Sequence, residues 1–308
     1  MDPTAPSSPT PPGAAPALPD GRPVGEALVD WYTTAARDLP WRRPGVDAWA
    51  VLVSEVMLQQ TPVVRVEPVW RDWVARWPTP AALAATSPAE VIRAWGKLGY
   101  PRRALRLREA AIAITERHGG VVPADVAALE ALPGVGTYTA RAVACFGHGT
   151  PQPVVDTNVR RVVARLVHGR AEAGTARAAD LTDVAVLTPA EPGRAVRFSV
   201  AAMELGALVC VAGTPRCAAC PVRPACAWRL AGCPAHDGPP RRVQQFAGTD
   251  RQVRGRLLDV LRAAEGPVPA AALDAAWDDA PQRARCLDSL LVDGLVEQTA
   301  DGSFRLPG

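Results

Sequence analysis

Apolar residues recur at helical spacing along most of the chain, and this pattern predicts an all-α protein. From residue 24 to about residue 228, hydrophobic positions repeat at the spacing of one helix face, with prolines and glycines between the segments. No convincing alternation of apolar and polar residues precedes residue 290. We therefore expect a globular domain of roughly ten helices.

Three tryptophans lie on one face of a predicted helix. Trp70, Trp73 and Trp77 occupy positions i, i+3 and i+7, which face the same side of an α-helix. A stripe of this kind is typical of core packing. We therefore interpret these side chains as part of the hydrophobic core.

Composition divides the chain into four regions. Residues 1–24 are rich in proline, alanine and serine and are predicted to be a disordered tail, because such a tract cannot bury enough apolar surface to fold. Residues 25–231 hold the helical domain, and residues 232–249 have the composition of a polar linker. Residues 250–308 are predicted to form three short helices and a β-hairpin, as in a small winged-helix-like module. No apolar run approaches the ~20 residues of a membrane span.

The formal net charge of the 308-residue chain is +3, but the charge is unevenly distributed. Residues 250–308 carry ten acidic and seven basic residues, so the remainder carries a net charge of +6. Clustered arginines in the remainder predict a modest electrostatic surface for nucleic acid, with solvated helix faces as the alternative. The net negative charge of the C-terminal region argues against strong phosphate binding there and favours a packing or partner role at least as much. The clustered arginines are Arg102, Arg103, Arg106, Arg108, Arg160, Arg161 and Arg165.

Four cysteines near the end of the helical domain have the spacing C-x6-C-x2-C-x5-C. Thiolates this close in sequence, with prolines between them, can enclose an iron–sulfur cluster. A structural zinc ion is the alternative, since four thiolates also suit tetrahedral zinc, although the usual zinc pattern has two C-x2-C pairs. The spacing alone modestly favours an iron–sulfur cluster over zinc. The four residues are Cys210, Cys217, Cys220 and Cys226.

The stretch LPGVGTYTA, residues 132–140, predicts a hairpin between two helices. Gly134 and Gly136 permit a tight turn whose backbone N–H groups point outward at the start of the second helix. Such a helix N-terminus binds phosphate oxygens without reading base sequence. A simple helix–helix turn is the alternative. The predicted DNA-binding residues of the hairpin are Gly134, Val135, Gly136 and Thr137.

Two carboxylates are the candidate catalytic groups. Glu55 lies in SEVMLQQT among apolar neighbours, and Asp156 lies in VDTNVRRV just before a predicted helix. Two carboxylates with different pKa values can divide the roles of proton donor and stabilising negative charge in one reaction. The alternatives are a solvated helix residue for Glu55 and a helix N-cap for Asp156.

Taken together, these motifs resemble the iron–sulfur helix-hairpin-helix DNA glycosylases, and most closely the adenine DNA glycosylases of the MutY family. The resemblance spans roughly residues 25–230 and is most specific at SEVMLQQT. It implies an all-α helix-hairpin-helix glycosylase fold, a 4Fe–4S cluster with a structural role, and excision of adenine paired with 8-oxoguanine or guanine. The other strings that carry the resemblance are LPWR, KLGY, LPGVGTYTA, VDTNV and the four cysteines.

The same resemblance implies roles for four residues at the reaction centre. Glu55 would protonate adenine at N7 and later activate the water. Asp156 would stabilise, or transiently bond to, the deoxyribose C1′. Asn158 would support the flipped nucleotide, and Tyr138 would lie beside the sugar and Asp156.

Three more residues are implied to contact the DNA. Gln60 and Tyr100 match positions where the family inserts side chains into the duplex, which offsets part of the cost of flipping a base. Arg42 would approach the adenine pocket. The implied partner is double-stranded DNA with adenine mispairs, with no membrane association. The chain is expected to act as a monomer in the bacterial cytoplasm, associated with the nucleoid.

A tyrosine at position 138 bears on the type of reaction. Relatives that resemble endonuclease III carry lysine there, whose amine forms a Schiff base with C1′ and cuts the strand. A phenol cannot form a Schiff base, and the only lysine of the chain, Lys97, lies in the KLGY loop. The resemblance therefore implies a monofunctional glycosylase without efficient lyase activity.

Some features keep other functions open. Family members often end in a MutT-like domain that helps to recognise 8-oxoguanine, and residues 250–308 do not have the pattern of that α/β domain. A monofunctional thymine mismatch glycosylase can also carry tyrosine at the hairpin, although the string EVMLQQT argues against it. An endonuclease III-like lyase is disfavoured by Tyr138. The non-enzyme alternative is an iron–sulfur protein that only binds damaged DNA, which the presence of Glu55 and Asp156 disfavours.

Overall fold

The computed structural model describes residues 16–236, 238 and 246–308. Residues 1–15 of the predicted tail, and residues 237 and 239–245 of the predicted linker, lie outside the described residues. The predicted all-α fold is confirmed, because helices account for nearly all of the regular structure that is described. None of the helices in the described residues is long and apolar enough to cross a membrane.

The described part of the chain contains fifteen α-helices, three short 3-10 helices and two strands. The α-helices are α1 Val24–Ala35, α2 Ala48–Leu58, α3 Val63–Arg76, α4 Pro80–Ala84, α5 Pro88–Trp95, α6 Arg102–Arg117, α7 Val126–Glu130, α8 Thr137–His148, α9 Thr157–Leu166, α10 Ala179–Leu187, α11 Pro192–Leu208, α12 Ala227–Leu230, α13 Asp250–Ala263, α14 Ala270–Asp274 and α15 Ala280–Val292. The 3-10 helices are Pro40–Arg42, Cys217–Ala219 and Arg223–Ala225, and the strands are β1 Glu297–Gln298 and β2 Phe304–Arg305.

Side-chain caps begin several of these helices. Asp47, Asp125 and Asp156 precede α2, α7 and α9, and each carboxylate accepts a hydrogen bond from a backbone amide three residues later. A cap of this kind satisfies one of the amides that the first turn leaves without an intrahelical acceptor. These local signals explain why the helices begin where they do.

The described residues fall into two compact units, one from the ranges Met1–Asp38 and Arg141–Pro239 and the other from Leu39–Ala140 and Pro240–Gly308. In the first unit α11 packs against both α1 and α9, and valine, leucine and phenylalanine side chains form the core. Gly25 allows α1 to lie close to the end of α10, because a Cβ there would clash with the carbonyl oxygen of Leu187.

Residues 16–23 also belong to the first unit. Ala17 and Pro23 form an antiparallel bridge, and Leu18 is buried in the core. This part of the predicted tail is folded, because Leu18 contributes apolar surface to the core.

The second unit contains the tryptophan stripe. Trp70, Trp73 and Trp77 are each no more than 5% exposed, which confirms their prediction as core residues. The Trp73 ring lies edge-on to Trp77 and to Trp95, with centroids 4.8 and 5.4 Å away. Buried indole N–H groups need acceptors, and Trp73 donates to the carbonyl oxygen of Ala94 at 3.0 Å.

Residues 250–308 form the three helices and the hairpin that the sequence predicts. In the hairpin, Glu297 pairs with Arg305 and Gln298 pairs with Phe304. Apolar side chains of α13, α14, α15 and the hairpin form a core that includes Ile92 of α5. We refer to residues 250–308 as the C-terminal module, and the exact division of the chain into domains stays a prediction.

Candidate active site

Glu55 lies on the buried helix α2. Asp47 caps this helix by accepting a hydrogen bond from the Ala50 amide at 2.8 Å, and residues 51–57 are all buried. Glu55 itself is 5% exposed, so it is not a solvated residue on the helix surface. The structure therefore places a buried carboxyl group near the end of α2, just before the loop that contains Gln60.

Two residues predicted to enter the duplex have unusual backbone conformations. Gln60 has φ 56° and Tyr100 has φ 48°, in the left-handed region that costs a non-glycine residue about 1 kcal/mol or more. In the described residues only Cys233 shares this property among non-glycine positions. Gln60 and Tyr100 are both exposed and line the same cleft. The structure therefore brings these two residues together.

Arg103 holds this strained region in place, a role that the sequence did not reveal. Its guanidinium lies over the ring of Tyr100, 5.5 Å from the centroid. Burial lowers the pKa of Arg103 to about 10, so the side chain remains charged at neutral pH. Its hydrogen-bond acceptors, at 2.6 to 3.1 Å, are the carbonyl oxygens of Val56, Met57, Gln59 and Gly99 and the hydroxyl group of Thr61.

The predicted hairpin consists of α7, a turn and α8. Gly134 has φ +75°, and a Cβ there would lie 2.7 Å from the Cβ of Arg106, so the turn requires glycine. Gly136 has no positive φ and faces open space, so the fold itself does not require glycine at that position. Gly134, Gly136 and Thr137 are exposed, whereas Val135 is buried. Since the first amides of an α-helix lack intrahelical acceptors, this exposed turn offers donors to an anion.

Tyr138 and Arg42 also belong to the second unit. Tyr138 is half-buried in the first turn of α8, and the hydroxyl of the next residue, Thr139, accepts a hydrogen bond from the Gln59 side chain at 3.3 Å. This contact joins the start of α8 to the loop after α2. Arg42 is half-buried at the end of a 3-10 helix that packs against α2.

Asp156 and Asn158 lie in the first unit, where Asp156 is the N-cap of α9. One carboxylate oxygen accepts a hydrogen bond from the Val159 amide at 2.7 Å, and the other accepts one from the Asn158 side-chain amide at 2.8 Å. Burial raises the pKa of Asp156 above its usual value, and these hydrogen bonds partly offset the increase. The cap holds the carboxylate in one orientation, which is compatible with a catalytic role.

Asn158 connects this carboxylate to the cysteine loop through Arg161. The Asn158 side-chain oxygen accepts a hydrogen bond from Arg161 at 2.8 Å, and the same guanidinium donates to the carbonyl oxygens of Gly206 and Cys210, both at 2.7 Å. Arg161 and Arg165 are only 7% and 4% exposed. The sequence placed both among the arginines of a nucleic-acid surface, and their burial corrects that interpretation.

The four predicted metal-binding cysteines line one small cavity of about 30 Å³. Burial raises the pKa of Cys220 to about 11 and also raises that of Cys226, and the neighbouring cysteines add to both increases. Thiols crowded in this way are stable as thiolates only beside a metal or a cluster. The four cysteines that line this cavity are compatible with an iron–sulfur cluster.

Comparison with known proteins agrees with this geometry. The model of the HhH-GPD superfamily base excision DNA repair proteins matches residues 53–182. The chain is 62% identical over 283 residues to the adenine DNA glycosylase of Mycobacterium tuberculosis, covering 91% of this chain and 92% of that protein. It is also 62% identical over 282 residues to the adenine DNA glycosylase of Mycolicibacterium smegmatis, covering 91% and 95%. The structure of a thermostable thymine-DNA glycosylase superposes with a TM-score of 0.61 at 26% identity, covering 67% of this chain and 95% of that one.

These matches differ in how much of the chain they cover. The structural likeness covers about two thirds of the chain and supports the helix-hairpin-helix glycosylase fold. The likeness to the two mycobacterial proteins extends over nine tenths of both chains. The chain therefore belongs to the adenine DNA glycosylase family, within the HhH-GPD superfamily of base excision DNA repair proteins.

Proposed function

We propose that the protein is a monofunctional glycosylase that flips adenine out of duplex DNA, where it is paired with 8-oxoguanine or guanine, and hydrolyses its N-glycosidic bond. The observation that carries this proposal is Glu55, a buried carboxyl group on α2 in a chain 62% identical to an adenine DNA glycosylase. The alternatives, removal of thymine from a mismatch or binding without catalysis, are outcomes of the experiment below.

Glu55 acts at the base. In the proposed step its carboxyl group donates a proton to N7 of adenine, the C1′–N9 bond breaks, and the electron pair of that bond stays on the departing neutral base. The resulting carboxylate then accepts a proton from the water that adds to C1′. General acid–base catalysis of this kind contributes a factor of ~10²–10⁴ in rate.

Asp156 acts at the sugar. Departure of the base leaves positive charge at C1′, and a fixed carboxylate stabilises that charge or bonds to C1′ transiently. Asn158 holds the carboxylate through the hydrogen bond of 2.8 Å. We assign Tyr138 to the sugar as well, where its phenol cannot form the Schiff base that strand cleavage requires.

The exposed turn of the hairpin and the strained residues bind the duplex. The amides at Gly134, Gly136 and Thr137 bind phosphate oxygens, and the open space at Gly136 leaves room for the backbone to approach. Val135 shapes the turn, because its side chain is buried and its amide donates a hydrogen bond to the Leu132 carbonyl oxygen at 3.2 Å.

Gln60 and Tyr100 enter the base stack beside the flipped nucleotide, and Arg42 contacts the adenine. The strain at Gln60 and Tyr100 holds both side chains ready before DNA binds, because surrounding contacts such as those of Arg103 keep their backbone in place. We infer that the protein acts as a monomer on the DNA of the bacterial nucleoid, in the cytoplasm.

A 4Fe–4S cluster fits the cysteine cavity. Cys210, Cys217, Cys220 and Cys226 would be its ligands, and the cluster would order the loop between α11 and α12 without taking part in the chemistry. Arg165 supports this loop, since it donates hydrogen bonds to the Val211 carbonyl at 2.8 Å and to the Cys210 thiol at 3.5 Å.

The test is single-turnover cleavage of end-labelled duplexes that contain A·8-oxoguanine, A·G or G·T, each with and without alkali. We expect breaks only in the adenine mispairs and only after alkali. Glu55→Gln should abolish the breaks but leave DNA binding intact, whereas the control Glu67→Gln, at an exposed ion pair with Arg71, should cleave normally. Cleavage of G·T alone, breaks without alkali, or full activity of Glu55→Gln would each contradict the proposal.

A further inference from the structure

A cleft of about 1190 Å³ lies within the second unit. One side contains Gln60, Tyr100 and the hairpin residue Gly134, and the other side is formed by helix α13 of the C-terminal module. Nine basic and only two acidic residues line it. Such an excess of positive charge in a cleft of this size favours a polyanion.

The two acidic residues of the cleft are both ion-paired. Asp259 lies 3.7 Å from Lys97, and Asp293 lies 3.1 Å from Arg102. Each pair joins the C-terminal module to the segment that carries Tyr100. The acidic residues therefore attach the module, and the same two carboxylates also pair with Arg254 and Arg262 of α13.

Helix α13 is also held by apolar packing. Val253, Leu257 and Leu261 belong to the core that includes Ile92 of α5. Arg262 adds a hydrogen bond to the carbonyl oxygen of Ile92 at 3.2 Å. One face of α13 is thus packed with Ile92 of α5, while other residues of α13 line the cleft.

Two arginines of α13 stand at the cleft in different environments. The Arg251 guanidinium lies 5.2 Å from the centroid of the Tyr100 ring, a distance typical of a cation–π contact. Arg256 is exposed and makes no hydrogen bond or ion pair within residues 16–236, 238 and 246–308. Arg251 is therefore placed to orient Tyr100, and Arg256 is placed to bind a ligand.

Gly255, between these arginines, supplies an independent observation. It lies in the interior of α13, where glycine is less favourable than alanine. Its φ is not positive, and a Cβ at this position would meet nothing within 4 Å. The fold therefore does not require glycine there, whereas a ligand backbone that approaches the helix closely would require it.

We propose that α13 is a DNA-binding wall of the cleft: Arg256 pairs with a backbone phosphate, Gly255 lets the backbone approach, and Arg251 positions the Tyr100 ring that enters the base stack. This proposal rests on the proposed function for its choice of DNA as the polyanion. It differs from the expectation based on the module's net charge, because the negative charge of the module lies mainly outside the cleft.

The first test measures the affinity of the full chain for duplex DNA at several salt concentrations by fluorescence anisotropy. The duplex carries 8-oxoguanine opposite an adenosine with a 2′-fluorine, which destabilises the sugar cation and prevents excision. We expect Arg256→Gln to raise Kd about fivefold and to reduce the slope of log K against log salt by about one. The control Arg305→Gln changes the same charge on β2, away from the cleft, and should leave both unchanged.

Gly255→Ala distinguishes an effect on DNA binding from an effect on folding. We expect it to raise the melting temperature slightly, because alanine favours the helix, and to raise Kd at least threefold, because the methyl group occupies the approach of the backbone. An unchanged salt slope in Arg256→Gln, or normal affinity in Gly255→Ala, would overturn the proposal.

The positioning role of Arg251 needs a kinetic readout. We expect Arg251→Gln to lower the single-turnover rate constant about threefold at saturating enzyme, with little change in the concentration for half-maximal rate. In a Tyr100→Ala background the same substitution should have no further effect, and an equal loss in both backgrounds would contradict this role. Suppose instead that the protein excises thymine rather than adenine while Arg256→Gln still reduces the salt slope. That result would refute the proposed function but would still support the contact between α13 and DNA.

Discussion

Arg161 and Arg165 in α9 are 7% and 4% exposed, whereas Arg102 and Arg106 in α6 are exposed and line the cleft of the second unit. All four lie on amphipathic helices, and the sequence presents them as equivalent clusters. In the first unit the guanidinium groups donate to buried acceptors such as the Cys210 carbonyl. In the second unit they face the space that DNA is proposed to occupy.

The difference shows what a basic cluster in a sequence can contribute. An arginine whose donors are used by backbone carbonyls stabilises the fold and adds little to the surface potential that attracts DNA. An exposed arginine contributes to DNA affinity and little to stability. Burial, rather than spacing, separates the two uses, and each of the following variants tests one side of this comparison.

The largest effect is expected from Asp156→Asn, which removes the charge from the buried network of the first unit. The excision rate should fall by a factor of ~10²–10³, because the sugar cation loses its counter-charge. Stability should not fall at neutral pH. Since burial raises the pKa of Asp156, its contribution to stability is complete below its ordinary pKa and declines as pH rises through the raised value.

Single-turnover kinetics, and urea unfolding between acidic and neutral pH, would measure both effects of Asp156→Asn. The variant should gain stability relative to the wild type as pH rises, and this gain should vanish in acid. A large loss of stability at neutral pH would show that the carboxylate serves mainly as a cap.

Arg161→Gln should lower the free energy of unfolding by about 3 kcal/mol, because several buried acceptors lose a charged donor. Urea denaturation would measure the loss, and iron and sulfide analysis would show whether the cysteine loop still binds a cluster. Arg177→Gln is the control and should be neutral, because Arg177 is exposed and its ion pair with Asp180 is long, at 3.9 Å. If Arg161→Gln were as stable as this control, Arg161 would not be a structural link.

Arg103 is the buried counterpart within the second unit. Arg103→Gln should lower the free energy of unfolding by about 2 kcal/mol, because the carbonyl groups at the end of α2 lose their donor. It should also weaken DNA binding, since Gln60 and Tyr100 lose the contact that holds their backbone. Denaturation and anisotropy would measure the two effects, and a variant that binds DNA normally would separate the strained loop from DNA binding.

The smallest effects are expected from substitutions of two arginines of α6. Arg106 is exposed and lines the cleft, whereas Arg108 donates to the carbonyl oxygen of Thr86 at 2.6 Å. Arg106→Gln should reduce the salt slope of DNA binding by about one with little change in stability. Arg108→Gln should lower stability by about 1 kcal/mol without changing the slope. The reverse pattern would contradict the division by burial.

Much of the fold follows from local pattern. The helices form where apolar residues repeat at helical spacing, and Trp70, Trp73 and Trp77 pack inward because they share one helix face. The C-terminal helices and hairpin were likewise predicted from the sequence, since turn residues separate short apolar segments. The strained backbone at Gln60 and Tyr100 was not predicted, because neither residue type signals a positive φ.

By itself, the sequence determined the helical fold, the cap at Asp156, the buried position of Glu55 among apolar neighbours, and the spacing of four cysteines, since each depends on residues near one another in the chain. Only the tertiary structure decided which arginines face the cleft and which are buried. Arg103 finds an acceptor 47 residues earlier and Arg161 finds one 49 residues later. Such partners are brought together only by packing, so no local pattern encodes them.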